Sequence, residues 1–77
     1  MEFEKLQQII ADTLDLDPAT ITPETRFLDD LGADSLDLFQ IILEIEKEFE
    51  ITIEDGDAEN IVTVGDAVEE IKKAING

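Results

Sequence analysis

From residue 35 to residue 50 the chain contains neither proline nor glycine, and its apolar side chains recur at helical intervals. That stretch decides the fold class. At about 100° per residue, Leu38, Ile41, Ile42, Ile45 and Phe49 share one face, a stripe wide enough to seat a helix on a core. Asp34 offers an acceptor for the N–H groups at the start, and Asp37, three residues on, completes a variant of the capping box. A central helix over residues 35 to about 50 follows, and an apolar helix needs neighbours to cover it.

Those neighbours are legible on both sides. Phe3, Leu6, Ile10 and Leu14 recur at helical spacing, with Ile9 widening the stripe. Pro18 then forbids continuation, so a first helix ends by about residue 15 or 16. Near the other end Thr63 is an N-cap for a helix from residue 64 to about 75, with Val64, Ala67, Val68, Ile71 and Ile75 on one face. Lys72 and Lys73 in its last turns and Gly77 just beyond match the dipole and stop preferences. Ile51-Thr52-Ile53 alternates like a strand, but a lone strand has no sheet to join, so it reads as a connection burying one or both isoleucines. A short helix is expected over residues 55–61. Residues 17–33 make a long first loop anchored by Ile21, Phe27, Leu28 and Leu31, and Thr22 ahead of Pro23 predicts a short helical turn there. The expected fold is all-α, a small antiparallel bundle of three principal helices plus one short helix, forming a single domain over residues 1–77.

Size and composition narrow the chemistry. A chain of 77 residues buries only about 60% of its unfolded surface, which leaves little room for a catalytic cleft. It holds no cysteine and no histidine, which removes disulfide frameworks, thiolate zinc sites and every Ser-His or Cys-His arrangement. Twenty-one acidic and five basic residues give a net charge of −16. A field of that sign repels nucleic acid and anionic lipid and steers basic partners inward. The acidic patch Glu54-Asp55-Gly56-Asp57 does not make a calcium loop, because Ile51 and Ile53 occupy places where ligands would be needed. No resident metal is expected. The N-terminus shows no basic region followed by an apolar run, and no segment reaches membrane-spanning length. The expectation is a soluble cytoplasmic monomer without membrane insertion.

The central helix carries more apolar residues than one core face requires. Leu36, Phe39 and Leu43 form a second stripe at spacings of three and four, centred roughly 130° around from the first. Between Asp34 and Glu59 there are ten acids and one base, Lys47, a local charge of −9. Asp37, Glu46 and Glu50 flank the second stripe. An apolar strip rimmed by one sign of charge steers and orients a basic partner. The strip begins one residue after Ser35, whose hydroxyl stands at a helix start where unpaired N–H groups and the helix dipole favour a phosphate. No base in the chain is suited to activate that hydroxyl as a nucleophile.

The stretch Leu31-Gly32-Ala33-Asp34-Ser35-Leu36-Asp37 resembles the phosphopantetheine attachment motif of acyl carrier proteins, the discrete carriers of fatty-acid synthesis. The resemblance extends to the long first loop with Phe27 and Leu28 before Asp29-Asp30-Leu31, to Glu44-Ile45-Glu46-Lys47-Glu48-Phe49, and to Asn60-Ile61-Val62-Thr63-Val64-Gly65-Asp66-Ala67. It implies that a carrier-protein synthase transfers 4′-phosphopantetheine from coenzyme A to Ser35. The sulfur that carries the acyl chain then arrives with the prosthetic group, which accounts for a thioester carrier without cysteine. It further implies that Asp34 and Asp37 are the motif's flanking acids, that Asp34 helps to hold the synthase and its magnesium, and that Leu36, Phe39 and Leu43, the strip that Asp37, Glu46 and Glu50 flank, are read by basic patches on partner enzymes of fatty-acid synthesis. Two departures from the family pattern stand out: Leu38-Phe39-Gln40 replaces a smaller, more acidic triplet, and Glu70 stands where many members have an aromatic residue.

Two other readings remain open at this stage. One is a specialised carrier for polyketide, lipid or aminoacyl transfer. The other is a non-covalent acidic interaction module in which Ser35 is only a capping residue. Neither these nor the fatty-acid reading makes the chain an enzyme.

Overall fold

The computed structural model describes residues 2–76. Four α-helices follow in order: α1 Glu2–Leu14, α2 Ser35–Phe49, α3 Asp55–Glu59 and α4 Val64–Asn76. Helices α1, α2 and α4 pack on one another. Lys5 near the start of α1 pairs at 3.2 Å with Glu48 near the end of α2, so these two run antiparallel. Their buried faces supply the core: Leu6 and Ile10 from α1, Ile41, Ile42 and Ile45 from α2, and Val64, Ala67 and Ile71 from α4. Leu38 and Phe49 pack against its edge. Among the described residues there is no strand, and residues 51–54 are a connection that buries Ile53 and half-buries Ile51.

Both α1 and α2 end on a residue with left-handed backbone, Asp15 at φ 57° and Glu50 at φ 54°. In each, the next N–H reaches back five residues, Leu16 to the Ala11 carbonyl at 2.9 Å and Ile51 to the Glu46 carbonyl at 3.1 Å. This is the Schellman closure, which satisfies carbonyls that a helix end otherwise orphans. It stops α1 at Leu14, a residue or two before the proline limit. Gly77, expected as the stop for α4, lies outside the described residues.

The structure corrects three expectations, two of them in the first loop. The loop's helical turn is a 3-10 segment at Pro18–Thr20, not at Pro23. Asp17 out-competes Thr22 as a cap, because Pro18 fixes the first helical φ and the Asp17 carboxylate accepts the Ala19 N–H at 3.0 Å. At Pro23 the chain makes only a turn: Thr25 N–H donates to the Thr22 carbonyl, and Thr25 Oγ1 accepts the Thr22 N–H at 2.9 Å. Leu28 does not anchor the loop but stands exposed, whereas Ile21 and Phe27 are buried. Ile75, placed on the core face by spacing, is also exposed because the last turn of α4 runs past the core.

The same loop is stitched to the start of α4. Gly65 N–H donates to the Pro23 carbonyl at 2.8 Å, Val64 N–H to Thr25 at 2.9 Å, and Phe27 N–H to Val62 at 3.1 Å. A side chain at Gly65 would put its Cβ 3.0 Å from the Pro23 oxygen, a backbone atom that would have to give way, so the close approach favours glycine here. From this anchor the chain turns through Gly32, at φ 66°, and Ala33 N–H donates to the Phe27 carbonyl at 3.0 Å. Ala33 is buried. The approach to α2 is therefore fixed two residues before Ser35.

Candidate functional site

Asp34 closes the start of α2 as its spacing from Asp37 requires. Its backbone is extended (φ −88°, ψ −177°), and its Oδ1 accepts the Asp37 N–H at 2.9 Å. The Asp37 carboxylate accepts the Asp34 N–H in return at 3.4 Å, and the Asp34 carbonyl accepts the Leu38 N–H at 3.0 Å. The box thus uses the N–H groups of Asp34 and Asp37, and the Asp34 carbonyl takes that of Leu38. The N–H groups of Ser35 and Leu36 have no protein acceptor among the described residues, and Ser35 is exposed. Ser35 is also the only serine in the sequence. A hydroxyl on a rigid helix start with open N–H groups beside it suits attachment of a phosphate ester, whose charge those groups and the dipole stabilise.

Around α2 the side chains sort into three faces. One is the core. The second is the strip expected from spacing: Leu36 is 78% exposed, Phe39 58% and Leu43 44%. Three large apolar residues left in water along one helix face mark an interaction surface. Of the acids expected at its rim, Glu50 is exposed, Asp37 sits in the capping box, and Glu46 is part-buried because its Oε2 accepts the Ile53 N–H at 2.8 Å. Two of the three rim acids therefore also hold the backbone in place.

The third face was not singled out from the sequence. Asp37, Gln40, Glu44 and Glu48, at spacings of three and four, face α1 across a surface groove of about 580 Å³ whose other wall includes Gln8, Ile9 and Asp12. Lys5 bridges one end, pairing with Glu48 and lying 5.9 Å from the centroid of Phe49. The regular spacing of polar residues was the available signal. Sequence reasoning also passed over Val62, which is 55% exposed and whose carbonyl accepts the Phe27 N–H. Asp66 on α4 accepts the N–H groups of Thr63 and Val62, both at 3.1 Å, while Thr63 Oγ1 accepts the Asp66 N–H. The Thr63 and Val62 N–H bonds hold its carboxyl below the usual carboxylate range.

Among the described residues no group of His, Cys, Asp and Glu is arranged to hold a metal ion, and no helix is long and apolar enough to cross a membrane. The ion pairs, Lys5–Glu48, Arg26–Asp29, Lys47–Glu44 and Lys73–Glu70, involve exposed bases and add little stability.

Residues 4–71 match the model of the phosphopantetheine attachment site family. The fold is similar to that of a Mycobacterium tuberculosis protein provisionally assigned as an acyl carrier protein, with 42% identity and a TM-score of 0.90 over 95% of this chain and 97% of that one. It is similar also to an acyl carrier protein from Enterococcus faecalis, with 38% identity and a TM-score of 0.79 over 95% of this chain and 92% of that one. The match covers most of the chain, the motif and all four helices, and so the chain belongs to the acyl carrier protein family, whose members bear a covalent 4′-phosphopantetheine and act as carriers rather than enzymes.

Proposed function

We propose that Ser35 is the attachment residue and that the chain carries acyl intermediates of fatty-acid biosynthesis. One observation supports this above others: the only serine of the chain stands exposed at the first position of a capped helix, with an exposed apolar strip starting at the next residue. The prosthetic group supplies the thiol on which acyl groups are held as thioesters. What the chain itself contributes is position and recognition. The Asp34–Asp37 box fixes the first turn, so the hydroxyl is presented from a rigid element. Open N–H groups at Ser35 and Leu36 stabilise the phosphate once it is attached. Asp34 uses one oxygen in the box, which leaves the second for the synthase and its magnesium. Nothing in the chain takes the hydroxyl proton, so the base belongs to the synthase.

Leu36, Phe39 and Leu43 supply the apolar area for docking, and Asp37, Glu46 and Glu50 supply the charge that orients basic patches on the synthase and on fatty-acid enzymes. Incubation with coenzyme A, magnesium and a carrier-protein synthase is expected to add one phosphopantetheine by intact mass, and Ser35→Ala to add none. Modification of the alanine variant would refute the site. The pathway is tested separately, by whether the loaded protein supports a fatty-acid ketosynthase in preference to a polyketide one.

A further inference from the structure

The segment between α2 and α4 is fastened at each end by one carboxylate. At its exit Asp66 holds the N–H groups of Val62 and Thr63. At its entrance Glu46 Oε2 holds the N–H of Ile53 at 2.8 Å. The Glu46 backbone carbonyl also accepts from Glu50 and Ile51, so one residue organises the whole turn out of α2. That turn passes through Glu50 at φ 54°, a conformation that disfavours any side chain. Beyond it, α3 contributes no buried residue, and Glu54 gives it no side-chain cap. Ile53 and Ile61, at 8% and 5% exposure, are the segment's buried contacts with the core, and the half-buried Ile51 and Ala58 pack against the core's edge.

Both carboxylates are half-buried, and they differ in what surrounds them. Asp66 stands in the first turn of α4. Glu46 lies one turn beyond Leu43 and lines a shallow groove with Leu43, Lys47, Ile51 and Thr52, so its carboxylate borders the exposed strip. We propose that a cationic side chain of a partner docked on that strip pairs with Glu46, withdraws its carboxylate from the Ile53 N–H, and thereby loosens the α3 segment. This rests on the docking role proposed above for α2. A guanidinium takes both carboxylate oxygens in one plane, two charge-assisted bonds from a cation in place of the single one from the Ile53 N–H. The displaced bond sits next to a strained turn and an element with little core contact of its own, so its loss is felt locally. Glu46 is in this sense a positioning residue that connects an outer surface to the cover over Ile53 and Ile61.

Amide exchange by NMR on the full chain tests the coupling. The probe is a synthetic amphipathic helical peptide with a leucine face flanked by arginines. Shifts at Leu36, Phe39 and Leu43 report docking. At saturation the Ile53 amide is expected to exchange about tenfold faster or more, with the Leu6 and Ile45 amides unchanged. Glu46→Gln keeps an acceptor oxygen without the charge, so it should retain Ile53 protection in the free protein and lose the response to peptide. A purely structural Glu46 would leave the wild-type response absent. Docking shifts with unchanged Ile53 exchange, or a full response in Glu46→Gln, overturn the coupling and leave docking standing. No shifts on α2 overturn both.

Discussion

Phe27 and Phe39 offer the sharpest separation of fold from recognition, because the same substitution is made at 0% and at 58% exposure. Phe27→Ala empties a fully enclosed site and should cost about 3–5 kcal/mol. A domain of 77 residues has about 4–12 kcal/mol in total, so the loss is a quarter or more of the whole stability. Phe39→Ala removes a side chain already in water on a helix, where alanine is the better helix former by about 0.5 kcal/mol. Its stability should stay level or rise slightly. Its partner affinity should not. A Phe side chain presents roughly 200 Å², so the exposed share is about 120 Å². Covering half of that at about 25 cal/mol per Å² is worth about 1.5 kcal/mol, or about tenfold in Kd. Urea unfolding by circular dichroism reads the first quantity, and titration with the carrier-protein synthase, with kcat/KM for modification, reads the second. If Phe39→Ala melted like Phe27→Ala, or bound the synthase as tightly as wild type, the division of α2 into a core face and a docking face would be wrong.

Other predictions concern the supports of the site. Gly65→Ala should destabilise by about 1–2 kcal/mol as its Cβ meets the Pro23 oxygen, whereas Gly56→Ala, with nothing within 4 Å, should stabilise by about 0.5–1 kcal/mol; thermal melts of the pair check this. The lowered pKa of Asp66 means that its contribution is complete above the ordinary carboxylate range and is lost as pH falls through its folded value. Asp66→Asn should therefore be less stable at neutral pH and show a shallower acid limb in a melt-versus-pH series; an unchanged limb would count against the loop-holding role. With a net charge of −16, Tm should climb with added salt or magnesium, and a Tm flat in both would show that self-repulsion is not a significant term.

Much of α2 was legible because its signals are local. Asp34 and Asp37 stand three apart, and the strip residues stand three and four apart, so spacing alone places them. The first loop was harder because Asp17-Pro18 and Thr22-Pro23 are two competing starts of the same kind. Asp17 takes the cap by accepting the Ala19 N–H, and the Pro23 carbonyl is used instead by the Gly65 N–H, a contact across 42 positions that no local pattern encodes. Leu28 and Ile75 were misplaced for a related reason: apolarity says that a residue gains from burial, not that neighbours are there to bury it. The Glu46 bond to Ile53 escaped notice because its donor is a backbone N–H, which every residue has and no sequence marks.

The stitching of the first loop has a consequence for how the protein is made. Pro23, Thr25 and Phe27 find their partners at residues 62–65, so the turn that presents Ser35 is ordered by residues synthesised well after it. Closing a loop of that length must precede the contacts that reward it, which places this step late in folding. A nascent chain stopped short of Val62 holds the serine but not its presentation, and is expected to be a poor substrate for the synthase in a modification assay on ribosome-stalled lengths. On the attachment proposed at Ser35, loading is then also a test that residues 62–65 have been made and folded onto the loop.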